Sequence, residues 1–141
     1  MNIEVIKDIE RFRSLKDEWD GLLDNSSADN IFLTWEWQFN WWQAFCDGKQ
    51  LNIILACDEN NKLLGIAPLY NDFKKVLGII NCRILKFIGD GDDASSEYLD
   101  FICYKGMERE LLKFFFGTIQ NYLLPLHISV FSDMEEGSVN K

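Results

Sequence analysis

Asp90, Asp92, Asp93, Glu97 and Asp100 crowd one short, glycine-containing stretch. Several oxygens brought together are what calcium or magnesium requires. Against the calcium-loop pattern, Asp90 and Asp92 fit the first two ligand positions. Ala94 then stands at the third, Ser95 replaces the required glycine, and Phe101 sits where the bidentate glutamate belongs. The pattern fails, and the stretch reads as a solvated acidic turn with no metal. His127 is the one histidine, the residue type best suited to proton transfer near neutrality. It lies in an alternating stretch near Ser129 and Ser132 with no triad signature, and reads as a half-exposed strand histidine. Cys46, Cys57, Cys82 and Cys103 contain no C-x-x-C pair, so neither a zinc spacing nor a disulfide framework is present. No G-x-S-x-G, Walker loop or G-x-G-x-x-G occurs, and Gly89-Asp90-Gly91 is too short and too acidic to cradle a phosphate. These residues assign no catalytic group.

Gln38 is the sharper candidate. It lies in the run Trp35 to Phe45, where Glu36, Asn40 and Gln43 share one narrow polar face and nearly everything else is aromatic. Such a helix is buried on most sides. Its tryptophans read first as core, with a stacking platform for a base or sugar as the alternative. Gln38 falls among the aromatics, so its amide needs partners from neighbouring backbone or from a ligand.

The elements that must position these groups follow from periodicity. Asn2 to Ile6 alternates as a strand, and Asp8 is placed to cap a helix. That helix carries Ile9, Phe12, Leu15, Trp19, Leu22 and Leu23 on one stripe and ends at Asn25-Ser26-Ser27. Thr34 caps the aromatic helix. Leu51 to Cys57 and Leu63 to Tyr70 make a hairpin across Asp58–Lys62, with Pro68 predicting an edge or a bulge. Asn71 to Cys82 reads as a loop and Arg83 to Ile88 as a strand. An acidic loop follows over Gly89 to Glu97, then a strand over Tyr98 to Cys103. Gly106 opens a helix from about Met107 to Leu124, closed by Pro125, and Leu126 to Phe131 is a last strand. The order β-α-α-β-β-β-β-α-β predicts an α+β fold with a mostly antiparallel sheet. One domain spans residues 1–131, with a polar tail over 132–141.

The run from Phe32 to Phe45, with its Glu36-Trp37 and Trp41-Trp42 pairs, and the strand Gly65-Ile66-Ala67-Pro68-Leu69 carry a family signal. They resemble the front part of GNAT-superfamily acyltransferases of the CelD-like cellulose-biosynthesis type, relatives of the Fem-type peptidyltransferases. Phe87-Ile88-Gly89-Asp90 followed by Tyr98-Leu99-Asp100-Phe101 is similar to that family's "F-x-G … Y-L-D" segment. The resemblance implies a partial GNAT-like fold whose aromatic helix and hairpin wall an acceptor cleft, with Gln38, Tyr98 and Asp100 as substrate-binding groups. Family members are typically about twice as long, and their acetyl-CoA loop lies in the later half. The equivalent junction here, Tyr104 to Glu110, has one glycine and puts Glu108 and Glu110 in the first helical turn. Carboxylates there favour the helix dipole themselves and repel phosphate. No cofactor is therefore expected for this chain. Acetyl-CoA is expected only where the later half is joined.

Whole-chain numbers bound the rest. The 141 residues, 48% apolar and 14% aromatic, suit one packed domain. A net charge of −9 makes nucleic acid and anionic lipid poor partners. Met1-Asn2-Ile3-Glu4 lacks a basic, then apolar, leader, so the expected compartment is cytoplasmic. A half-fold leaves a sheet edge uncovered, so the expected partners are the missing half or a second copy.

Overall fold

Local rules laid out by the sequence set most element ends. The computed structural model describes residues 1–28, 30–90, 100–123 and 127–129. Strand β1 is Asn2–Ile6. Asp8 caps helix α1, Ile9–Ser14, by accepting the Arg11 amide at 2.9 Å. The stripe that reads as one helix is broken at Leu15, and α2 runs over Lys16–Asp24. Ser14 Oγ turns back onto the Arg11 carbonyl, and Leu15 N–H bonds the Phe12 carbonyl, tightening the turn between the two pieces. Thr34 caps α3, Trp35–Phe45, as expected, through the Trp37 amide.

The sheet continues with β2 (Gln50–Cys57), β3 (Leu63–Val76), β4 (Ile80–Phe87), the short β5 (Ile102–Cys103) and, after α4 (Glu108–Thr118), β6 (His127–Ser129). Its order is β1-β2-β3-β4-β6, with β5 also on β3. All pairings are antiparallel except β4 with β6, which is parallel. The fold class is α+β, as the sequence order predicts.

Two expectations fail here. Asn71 to Cys82 is no loop: β3 and β4 extend through it as a hairpin, Val76 opposite Ile80. Lys74 and Lys75 belong to a solvent-exposed ladder, and Gly78 to its turn. Asp100 and Phe101 also precede β5 and are not part of it.

The register sorts side chains to two faces. Ile6, Ile53, Leu55, Ile66 and Tyr70 share the face covered by α1, α2 and α3. Ile54, Gly65, Leu69 and Phe87 share the other, under α4. Gly65 is where α4 approaches most closely. A Cβ there would lie 2.9 Å from Phe115 Cζ and 3.1 Å from Leu111 Cδ2. The aromatic cluster of the first face satisfies its indoles: Trp19 donates to the Leu33 carbonyl at 2.9 Å and Trp35 to the Phe12 carbonyl at 3.0 Å. α4 ends in a π-helical turn, Ile119–Leu123. No described helix is long and apolar enough to cross a membrane.

Candidate functional site

Pro68 is not at an edge. It sits in β3 between β2 and β4, opposite Ile53. Ile88, the residue after β4, donates to the Pro68 carbonyl at 2.8 Å. The reciprocal bond, from an N–H at position 68 to the Ile88 carbonyl, does not exist because proline has no donor. Gln38 takes that place. Its Nε2 donates to the Ile88 carbonyl at 3.1 Å and to the Phe32 carbonyl at 2.7 Å. The side chain is 0% exposed, and its Oε1 has no partner. Of the two readings open from sequence, backbone partners are therefore observed for the amide nitrogen. A buried acceptor remains unused.

Just beyond Ile88 the chain leaves the sheet. The Tyr70 hydroxyl donates to the Asp90 carbonyl and fixes this departure from below. Trp41 and Trp42, both buried, hold the Tyr70 ring with centroids 5.5 and 5.9 Å away. These tryptophans are core, not a stacking platform. Next to Tyr70, Lys86 lies opposite it in the ladder and pairs with Asp72 at 3.4 Å, both side chains mostly buried. A lysine is seldom buried unless paired, and here the carboxylate supplies the counter-charge.

The chain returns at Asp100, whose Oδ1 accepts the Phe101 amide at 2.7 Å. Ile102 then pairs with Ile66. Extending that register puts Phe101 opposite Ala67, the position next to Pro68. The described chain thus leaves the sheet after Ile88 and re-enters it at Phe101, at two successive positions of β3. Phe87 and Phe101 meet across the gap with ring centroids 5.2 Å apart, and Phe101 stacks on Phe115 at 5.4 Å. The structure brings the bonds of Gln38 and of Asp100 to this one break. Tyr98 and the carboxylates Asp92, Asp93 and Glu97 lie outside the described residues. Among the described residues no group of three or more ligating side chains could hold a metal.

The break lies at the carboxyl end of β4. Because β4 and β6 are parallel, their carboxyl ends lie side by side. The unused Gln38 oxygen, the Lys86–Asp72 pair and the rings of Tyr70, Phe87 and Phe101 surround it, nearly all of them buried. Among the described residues it has no activated nucleophile. Cys103 is buried and its thiol is pushed up to about 12 by desolvation, with Asp100 and Glu108 adding to the shift.

The start of α4 is already occupied. Gly106, at φ +90°, aims its N–H at the Glu108 carboxylate at 3.0 and 3.1 Å, and Ser27 Oγ adds a bond at 3.3 Å. The Glu108 carboxyl is held below its ordinary value, first by its own backbone N–H and then by the Gly106 amide, against a desolvation penalty. An anion position at this helix terminus is filled from within the chain.

Sequence reasoning missed two buried asparagines besides Lys86. Asn52 is 1% exposed with neither amide atom partnered, and Asn71 leaves its Oδ1 unused while donating to Gln50 at 3.4 Å. An asparagine inside the apolar run of β2 was the available signal.

No family model matches the chain, and no curated protein matches it. Among solved structures, the tetramutant of the BH1408 protein from Bacillus halodurans is similar over 97% of this chain and 85% of that one. The identity is 10% and the TM-score 0.48, a likeness too slight to carry fold or function.

Proposed function

We propose that the chain is the amino-terminal, acceptor-side portion of a GNAT-type acyltransferase and is inactive alone. One observation carries the reading. The element order strand, helices, antiparallel strands, helix, strand matches the start of that fold, and Gln38, Tyr70 and Asp100 gather at the carboxyl end of its parallel strand pair. In this reading the break between Ile88 and Phe101 receives the acyl acceptor, with Gln38, Tyr98 and Asp100 as its polar contacts. The cytoplasm is the compartment that goes with it. The Glu108 carboxylate at the start of α4 supports the absence of a phosphate cradle in this half. Acetyl-CoA binding then belongs to a later half.

A thermal-shift titration with acetyl-CoA, with CoA and ATP as controls, tests this. The chain alone should not shift. A ligand at a hundred times its Kd stabilises a fold by about 2.7 kcal/mol, several degrees at this size. A selective shift of that order would show a complete donor site and overturn the half-enzyme reading. Co-expression with the sequence encoded downstream should restore the acetyl-CoA shift, and a joined protein that stays silent counts against acyl transfer altogether.

A second reading, a non-catalytic binding module, is favoured by one feature. The β3–β4 hairpin projects beyond its neighbouring strands and exposes apolar residues at its tip.

A further inference from the structure

The α4 face of the sheet carries a cluster of neutral amides. Asn52 lies opposite Leu69, and Gln50 lies opposite Asn71. Leu69 faces α4, so the two-residue period of a strand turns Asn52, Asn71 and Gln50 the same way. Asn52 and Asn71 are each 1% exposed, whereas Gln50 is exposed. The amides therefore run along one face from the interior to the surface.

Asn52 and Asn71 are diagonal neighbours in the ladder, a relation that sets residues about 7–8 Å apart. At that spacing two amides can meet directly or through one small molecule. The direct bond is not made. Asn71 Nδ2 donates to Gln50 Oε1 at 3.4 Å and leaves its own Oδ1 unpartnered, and neither Nδ2 nor Oδ1 of Asn52 has a partner among the described residues.

The helix above does not supply one. α4 approaches the sheet most closely at Gly65, and the chain rejoins the sheet with His127 beside Arg83, which is paired with Phe73. The amides lie between these two levels of β3, so the end of α4 and its π-helical turn cover this part of the face. Thr118, the polar residue buried there, turns its hydroxyl back onto the Phe114 carbonyl at 2.9 Å, and Ile119 beside it is apolar. A buried amide atom without a hydrogen bond keeps the whole cost of leaving water. The cluster has no charge to select an ion. One donor group and two acceptor oxygens close together are what an internal water uses, since it takes two to four polar partners.

We propose that Asn52 and Asn71 hold internal water beneath the end of α4. Asn52 Nδ2 donates to one water, which donates onward to Asn71 Oδ1, and a second water bonded to the first donates to Asn52 Oδ1. The water exchanges with solvent past Gln50. The site is independent of the acyl-transfer reading, because it lies on the α4 face and Gln38 reaches the sheet from α3.

Water–protein NOESY and ROESY spectra of the 15N-labelled chain test it. The Asn52 side-chain amide protons should show cross-peaks at the water frequency, of opposite sign in the two spectra, the mark of a water that stays longer than the protein takes to tumble. Asn71→Leu should abolish them. Asn52→Leu expels the water and strands Asn71 Oδ1, so Tm should fall by about 5 °C, and adding Asn71→Leu should restore most of the loss because the stranded acceptor goes with it. Absence of such cross-peaks in the unaltered chain overturns the proposal. So does a Tm that rises in Asn52→Leu, which would show that the amide bonds nothing. Crystallographic density larger than water between the two asparagines would overturn it in favour of a ligand site.

Discussion

Gln38 illustrates what one residue's surroundings decide. Its type and position among aromatics announced a need for hydrogen bonds, and that much was legible. The partner was not, because Ile88 lies fifty positions away and its carbonyl is free only because Pro68 stands opposite it. We expect Gln38→Ala to cost about 2–4 kcal/mol, since two buried carbonyls lose their donor. Pro68→Ala should recover part of that loss by returning an N–H to Ile88. Additive costs in urea denaturation of the double variant would show that Gln38 does not stand in for the missing ladder bond. Asp100, also singled out from sequence, is placed at the chain's return to the sheet through its bond to Phe101. Tyr70 and the Lys86–Asp72 pair escaped notice because strand alternation alone does not tell a buried face from an open one.

At the scale of elements, caps and turns were readable and strand lengths were not. Asp8, Thr34 and the Asp58–Lys62 turn act locally, and each sits where residue chemistry puts it. The extension of β3 to Val76 rests on pairing with β4, a tertiary contact that lysine-rich composition hides. Gly65 gives the sharpest test of packing between elements. A methyl at this position meets Phe115 and Leu111 inside ordinary contact distance. Gly65→Ala should therefore lower stability by about 1–3 kcal/mol, read as a fall in Tm, and Phe115→Leu in the same chain should restore part of it. An unchanged Tm would mean that α4 rides less closely on β3 than described.

For the whole molecule, acid is the relevant stress. Arg11 grips Glu4 through two bonds at 2.7 and 3.1 Å and holds its carboxyl below the ordinary value. Lys16 does the same to Glu36 at 2.6 Å, tying α2 to α3, and Glu108 is lowered chiefly by its own backbone N–H. Carboxyls lowered in the folded state contribute stability that is complete above the ordinary value of 4.5 and lost as pH falls through the lowered values. Tm should thus be nearly level above that pH and fall below it. Glu4→Gln should cost about 2 °C near neutrality and flatten the acid limb. A Tm that rises on acidification would contradict these pairings. The net charge was legible at once, but which carboxylates are paired, such as Glu4 with Arg11 and Glu36 with Lys16, needed the fold.

The break between Ile88 and Phe101 has a consequence for how such a chain diversifies. The residues on either side occupy neighbouring positions along β3, so the length of the intervening segment is uncoupled from the register of the sheet. Insertions or deletions there would leave every strand pairing where it is.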